Sequence, residues 1–255
     1  MTHVLDLSPA PAPAPRTERI VGHARTEAML LLRNGEQLLL ALVIPVGVLV
    51  AGMALGDRVG LDPALLPPSV LALALWSTSF TSLAINTAFE RRYGVLERLV
   101  ATPLTRGDLI TGKALATAGV AAGQVLVLAV LAVALGWRPV LDPVSLGIAV
   151  LASLLALVAF AGFALALAGR LRAEATLAVA NLFYLAVAAG GALVVPVPAY
   201  PAWAHWPLRL TPFGALGETL RDASVGAAGA WPLVVLAVWA AVALLVARKA
   251  FRWTS

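Results

Sequence analysis

The sequence predicts an all-α integral membrane protein with six transmembrane helices, and three observations support this fold class. Apolar residues make up 61% of the chain and charged residues only 12%, whereas soluble domains carry about 25% charged residues. Six apolar runs are each close to the ~20 residues that a helix needs to cross the bilayer core. None of them alternates as a barrel strand does, so the spans are helices. The predicted spans are 37–56, 69–88, 114–136, 145–168, 175–195 and 231–247.

Two segments precede the six-helix domain, which covers residues 37–255. Residues 1–16 are rich in Pro and Ala and cannot form a helix because each proline removes a backbone donor, so we expect a disordered cytoplasmic tail. Residues 17–36 predict an amphipathic helix that lies in the membrane interface, with a solvated lead-in helix as the alternative. Its apolar positions share one helical face: Ile20, Ala24, Ala28 and Leu31.

The distribution of basic residues predicts the orientation. Of the 18 lysines and arginines, 14 fall in segments that are cytoplasmic if the N-terminus is cytoplasmic. The outer loops hold only four of them: Arg58, Arg138, Arg209 and Arg221. This asymmetry follows the positive-inside rule and predicts a multi-pass protein of the cell membrane with both termini in the cytoplasm.

The longest outer connection, residues 196–230, contains a helix signature. Thr211 and Pro212 match an N-cap followed by proline at the first helical position, which predicts a short helix that ends at about Asp222. This segment either re-enters the membrane as a lid or forms an ordinary packed loop, and the sequence leaves both open.

The spans lack the side chains that ion-coupled carriers and enzymes use. They contain no Asp, Glu, Lys, Arg or His, although ion-driven carriers keep such groups at membrane depth and catalysis needs an acid, a base or a nucleophile. The chain has no cysteine and three scattered histidines, which disfavours a metal site. Basic residues punctuate the apolar runs instead of forming one face, so we expect no nucleic-acid partner. We predict a non-enzymatic chain that binds no cofactor.

Neutral polar residues within the spans are candidates for a substrate path. They are Ser77, Thr78, Thr81, Asn86, Gln124, Asn181 and Tyr184. Such residues commonly hydrogen-bond neighbouring helices, and that alternative stays open. As a lining they would suit hydrophobic or lipid-like cargo better than ions. The GxxxG pairs Gly52/Gly56 and Gly119/Gly123 are consistent with helix contacts.

One segment imitates a phosphate-binding loop. Residues 107–114 nearly match GxxxxGK[ST], but Ala114 replaces the magnesium-binding hydroxyl and no strand precedes the segment. Thr105 and Asp108 have the spacing of a capping box. The segment is therefore predicted to begin a helix, and the chain is not expected to hydrolyse ATP.

The charged segment Phe89–Lys113 lies between two runs, 69–88 and 114–136, that carry no charge. It must lie in water at one membrane face, and the orientation above makes that face cytoplasmic. We interpret it as the surface through which another protein drives this one.

This segment resembles the cytoplasmic loop between spans two and three of ABC type-2 exporter permeases, in particular those of bacterial drug exporters of the daunorubicin kind. The matching residues are Glu90, Gly94, Leu96, Glu97, Leu99, Thr102, Pro103, Leu104, Gly112 and Lys113. Val95 departs from the pattern, where threonine is often found. With the six spans and the long outer segment, the resemblance covers residues 17–253.

The resemblance implies a complex of two permease copies, identical or homologous, with two copies of a separate ATPase subunit that binds ATP and Mg. It also implies that a loop helix at about Glu90–Val100 docks into a cleft of the ATPase, with Tyr93, Leu96 and Leu99 as anchors. The expected coupling residues are Glu90, Arg91, Arg92, Tyr93, Gly94, Leu96, Glu97, Arg98, Leu99, Thr102 and Pro103. A solvated loop whose arginines only obey the positive-inside rule is the alternative.

The sequence therefore predicts the permease subunit of an ABC exporter that moves a hydrophobic or amphipathic drug or lipid-like molecule outward by alternating access. A passive channel or a secondary carrier that works without an ATPase is the alternative. A lipid-modifying membrane enzyme would need a carboxylate or histidine cluster at an interface, and the sequence shows none.

Overall fold

The computed structural model describes residues 13–33, 35–59 and 62–250, and these ranges consist of helices and turns without a strand. The predicted disordered tail falls mostly outside them. The α-helices are α1 Arg16–Arg33, α2 Gly35–Val59, α3 Leu66–Trp76, α4 Leu83–Arg92, α5 Val95–Val100, α6 Arg106–Ala134, α7 Pro143–Ala168, α8 Ala173–Gly190, α9 Ala202–Arg209, α10 Pro212–Ser224 and α11 Trp231–Ala250. A π-helical turn, Ser77–Ser82, joins α3 to α4 in one continuous helix.

Five helices of the described ranges are long and apolar enough to cross a membrane. They are Leu66–Arg92, Gly107–Ala134, Pro143–Ala168, Ala173–Gly190 and Trp231–Ala250. Each coincides with one of the predicted spans two to six. The prediction of an all-α membrane protein is therefore confirmed.

The predicted first span, 37–56, falls on α2. Within α2, the apolar stretch Leu42–Leu55 is shorter than a full span. Gly52 lies against Leu66 of α3, where an added Cβ would come within 2.2 Å of the Leu66 Cδ2 atom. The first GxxxG pair thus marks a helix contact at Gly52, and the count of six spans stays a prediction.

Helix α7 lies at the centre of the bundle and packs along α11 as well as against α4 and α10. Gly162 permits a close approach of α7 to α11, because an added Cβ would lie 2.9 Å from the carbonyl oxygen of Ala243. Small residues bring membrane helices together in this way when no water is present to drive association.

An aromatic cluster fills the middle of the bundle. Trp76 is 1% exposed, and its ring is surrounded by four phenylalanines from the π-turn, α7, α8 and α10. The centroid distances are 4.2 Å to Phe80, 4.9 Å to Phe160, 5.5 Å to Phe183 and 4.8 Å to Phe213. Such edge and stacked contacts add to the burial of each ring, so Trp76 is a packing residue.

The predicted helix of the outer connection is confirmed as α10. The Thr211 hydroxyl accepts a hydrogen bond from the backbone N–H of Gly214 at 3.0 Å, as an N-cap should. Phe213, at the start of α10, contacts Trp76 near the middle of helix Leu66–Arg92, and Trp239 in α11 donates to the Leu210 carbonyl at 2.8 Å. The start of α10 therefore packs into the bundle, although Leu210 in the turn before it is 49% exposed.

Arg221 of α10 was predicted in an outer loop but is buried, with 3% of its surface exposed. Its guanidinium donates to Ser69 Oγ at 2.9 Å, to the Leu193 carbonyl at 2.9 Å and to the Ala192 carbonyl at 2.8 Å. Glu218 balances its charge at 2.6 Å. The i, i+3 spacing of Glu218 and Arg221 could have predicted their ion pair from the sequence. The three uncharged groups that accept from Arg221 come from distant parts of the chain, and no local pattern predicts them.

Candidate functional site

The charged segment between the second and third spans does not form the single helix predicted at about Glu90–Val100. Helix α4 ends at Arg92, and Gly94 adopts a left-handed backbone with φ of +69° before α5 begins. Residues with a Cβ rarely adopt this conformation. Gly94 therefore turns the chain and makes α5 a separate helix of six residues.

Helix α5 has a buried side and an exposed side. Leu96 is 0% exposed within the main core of the bundle, and Leu99 packs partly against that core. Leu96 therefore binds α5 to its own chain, whereas Leu99 keeps part of its surface accessible and stays a predicted anchor for a partner. Tyr93 is 65% exposed, and Glu97 and Arg98 are exposed as well.

The end of the loop is tied to α1. Thr102 and Pro103 are exposed, and the Arg19 side chain donates a hydrogen bond to the Pro103 carbonyl. The capping box is confirmed: the Asp108 N–H donates to Thr105 Oγ1 at 3.2 Å, and the Thr105 N–H donates to Asp108 Oδ2 at 3.1 Å. The segment that imitates a phosphate-binding loop is thus the first turn of α6.

Helix α1 packs along α6 with charged residues in the contact. Asp108 is buried, with its Oδ1 atom 2.7 Å from the Arg16 Nε and its Oδ2 atom 3.9 Å from an Arg19 nitrogen. The expected apolar face of α1 is only half-buried, and Arg19 and Glu27 share that inward side. The helix is therefore held to the bundle by ion pairs as well as by apolar contacts.

Lys113 lies at the centre of a buried ion network. It is 1% exposed, and its ammonium is 2.9 Å from Glu27 Oε2 on α1 and 2.5 Å from Glu90 Oε2 near the end of α4. Its burial means that the charge must be paired, because an isolated buried ammonium is very costly. Glu90, predicted to face a partner, instead joins the second and third spans to α1.

Gly112 provides the space for this network. An added Cβ would lie 2.4 Å from the Cδ2 atom of His23, which is closer than real Cβ contacts come. Burial of the imidazole lowers the pKa of His23 below its usual 6.5, against the opposing effect of Glu27 and together with that of Lys113. This lowered pKa favours the neutral form of the His23 imidazole.

Two further loop arginines bind the connection between α7 and α8. Arg92 forms an ion pair with Glu174, and Arg91 donates to the Leu171 carbonyl. These contacts bring the C-terminal end of α4 and the N-terminal end of α8 together at the same end of the bundle as α5.

The comparison with protein families assigns this architecture. The family model of the ABC-2 family transporter protein matches residues 57–249, about three-quarters of the chain. The chain belongs to the ABC-2 transporter family. A search of the curated proteins found no match. The resemblance drawn from the loop is confirmed at the level of an ABC type-2 permease, a multi-pass membrane component of an ABC transporter.

The family match begins after α1 and most of α2. Arg16, His23 and Glu27 of α1 therefore lie outside the matched part, whereas α6, which they contact, lies inside it.

The structure brings three of the seven candidate path residues of this permease together. Thr78, Asn86 and Gln124 line one cavity, and the Thr78 hydroxyl donates to Gln124 Oε1. The other four are placed elsewhere: Ser77 is half-buried and Thr81 buried in the π-turn, whereas Asn181 is exposed and Tyr184 half-buried on α8.

Proposed function

We propose that this ABC-2 permease works in the cytoplasmic membrane and is driven by a separate ATPase that docks on the exposed side of α5. The observation that carries the proposal is the division of α5 into two sides. Leu96 is fixed in the core, while Glu97 and Arg98 of α5 and Tyr93 just before it are exposed. Exposed charges of both signs can form charge-assisted hydrogen bonds with a partner.

The fixed side of α5 supports a mechanical role for the loop. Leu96 belongs to the same buried cluster as Trp76 and Phe160. A partner that displaces α5 must therefore displace the inner end of the second span too, because close-packed cores transmit strain instead of absorbing it.

The placement of charge supports an external energy source. In the five described spans, residues with a charged side chain occur only near the inner ends, from Glu90 to Arg92, at Asp108 and Lys113, at Glu174, and at Arg248 and Lys249. The middle of these described spans carries no charged side chain. A proton- or sodium-driven carrier would keep such groups at depth, so ATP and Mg on a partner subunit are the more suitable source.

The orientation and the number of copies belong to the same proposal. The cytoplasmic side carries α5, both termini and most of the basic residues, as the positive-inside rule requires. Helix α8 exposes an apolar face that includes Leu182 at 69% and Leu185 at 62%, next to the exposed amide of Asn181. A polar group facing lipid is costly, which favours a second permease copy, identical or homologous, against this face. The cargo is a hydrophobic or amphipathic drug or lipid-like molecule.

The test is affinity purification of the chain from its native membrane in mild detergent. We expect a Walker-type ATPase to co-purify with the wild type and with Arg25→Glu, a matched charge reversal at an exposed position of α1. Arg98→Glu combined with Glu97→Lys should release the ATPase while the chain stays folded. Unchanged recovery in that variant would remove α5 as the docking site. Transport by the purified chain in liposomes without nucleotide would favour the passive carrier instead.

A further inference from the structure

A cavity of about 480 Å³ separates α1 and α2 from α4 and α6. Its volume lies within the range of small-molecule sites, about 300–1,000 Å³. Most of its wall is apolar, with Leu31 and Leu42 on one side and Val120 and Val127 on the other. It is thus suited to a ligand with a largely apolar body.

Two glycines of α6 make room for the cavity. Gly119 and Gly123 both line it, and a Cβ added at either position would meet no atom within 4 Å. Among the described residues of this chain, the pair makes no close helix contact, and its interpretation as a helix-contact motif stays a prediction. The two glycines instead form a groove along α6, and their exposure places the opening of the cavity on that side.

The inner end of the cavity carries more carboxylates than cations. Glu27 and Glu90 line it together with Lys113, and 13% and 22% of the two carboxylate side chains remain exposed. Burial lowers the pKa of His23, beside Glu27, and favours its neutral form. Among the described lining residues, one ammonium faces two carboxylates, so their summed formal charge is negative by one when both carboxylates are ionised.

The far end of the cavity is neutral and polar. The hydrogen-bonded pair Thr78 and Gln124 lies there, with Asn86 and Thr117 in between. Thr78 and Glu90 are twelve residues apart on one helix, which corresponds to about 18 Å at 1.5 Å per residue. The cavity is thus elongated, with its charge at one end.

We propose that this cavity binds an amphiphile whose cationic head pairs with Glu27 and Glu90 and whose apolar body lies along Gly119 and Gly123. The excess carboxylate gains a counter-ion from such a ligand. That this ligand is cargo rests on the proposed exporter function, but its binding does not. A lipid acyl chain would also fill the groove and is the outcome that the test must separate.

The absence of cysteine from the chain allows single cysteines to report on the cavity. Thr117→Cys places a thiol on its wall. Ser153→Cys is the matched control, since Ser153 lines a separate apolar groove that has no charged residue among its described lining. Both proteins are labelled in nanodiscs with a cationic trimethylammonium and an anionic sulfonate methanethiosulfonate of equal size.

We expect the ratio of cationic to anionic labelling rates to be about tenfold higher at Thr117→Cys than at Ser153→Cys, because the net negative charge lies within roughly 10 Å of the thiol. Adding Glu27→Gln or Glu90→Gln should bring the two ratios together in protein that still elutes as a folded species. Equal ratios at the two positions with both carboxylates intact would overturn the electrostatic assignment.

Protection by ligands tests the binding itself. Dodecyltrimethylammonium should slow the labelling of Thr117→Cys, whereas dodecyl maltoside and laurate at the same concentration should have little effect. Equal protection by all three would show a groove for any acyl chain, and no protection would show no site. Either result overturns the proposal.

A matched pair of glycine substitutions connects the site to transport. Gly123→Leu should fill the groove and block both labelling and nucleotide-dependent efflux of the cation, whereas Gly147→Leu, at another glycine with nothing within 4 Å, should leave both intact. Normal efflux by Gly123→Leu would remove the cavity from the cargo route. If the wild type shows no nucleotide-dependent efflux at all, this would count against the exporter function but would leave the labelling result standing.

Discussion

Lys113→Met tests whether the buried ion network holds α1 to the second and third spans. The substitution keeps the length of the side chain and removes the charge between Glu27 and Glu90. At 2.9 Å and 2.5 Å, each attraction is about 6 kcal/mol at an effective dielectric constant of 20, before desolvation is subtracted.

The net effect of Lys113→Met is smaller than this sum, since both carboxylates can bind a proton and are partly exposed. Removing one partner of a buried pair typically costs about 3–5 kcal/mol, and we expect the lower end, about 3 kcal/mol. For a chain of this size, that corresponds to a decrease in Tm of about 6–12 °C.

The assay is thermal unfolding of the detergent-purified chain, followed by fluorescence-detected gel filtration. The control combines Lys113→Met with Glu27→Gln and Glu90→Gln, which replaces the network by neutral groups and should recover most of the lost stability. A Lys113→Met protein within 2 °C of the wild type would refute the argument. So would a triple variant no more stable than the single one, because the penalty would then not arise from unpaired carboxylates.

Three further predictions concern the packing around this network and the outer segment. Gly112→Val should detach α1, since the added Cβ would overlap the His23 ring, and limited proteolysis should then cut α1 faster. The control Gly22→Ala has open space around the added Cβ and should leave the cleavage rate unchanged. Equal cleavage of the two variants would contradict the steric argument. The pKa of His23 is lowered on folding, so its contribution to stability is complete above pH 6.5 and is lost as the pH falls below that value. Between pH 7.5 and 5.5, Tm should therefore fall less steeply in His23→Gln than in the wild type. Parallel curves for the two proteins would exclude this contribution of His23. Arg221→Met leaves two carbonyls without this donor and the Glu218 carboxylate without its counter-ion, and we expect a loss of about 3–5 kcal/mol in thermal unfolding. A loss below 1 kcal/mol would mean that water replaces the guanidinium.

Local signals in the sequence were sufficient for much of the fold. The spans follow from length and composition, and Thr211–Pro212 and Thr105–Asp108 mark helix starts because an N-cap needs only residues three positions apart. These predictions succeed since the interactions that decide them lie within one turn of helix.

The errors concern contacts between distant parts of the chain. Leu96 sits between exposed charges, and the same pattern suits an anchor for a partner or a core residue, so only the packing of the bundle decides. Lys113 and Glu27 are 86 positions apart, and neither residue signals the other. Gly119 and Gly123 match a helix-contact motif, but a Cβ added at either position would meet no described atom within 4 Å, and the motif does not signal the cavity beside them.

The arrangement of the second span connects the two ends of the molecule. Leu96 of α5 and the ring of Trp76 belong to one buried cluster, and Trp76 contacts Phe213 at the tip of the outer segment. The hydrogen-bonding pattern of this span changes only at the π-turn Ser77–Ser82, between these points, and such turns are frequent at functional sites. A displacement of α5 therefore has a packed route to the outer segment, and the π-turn is where we expect the span to change its shape.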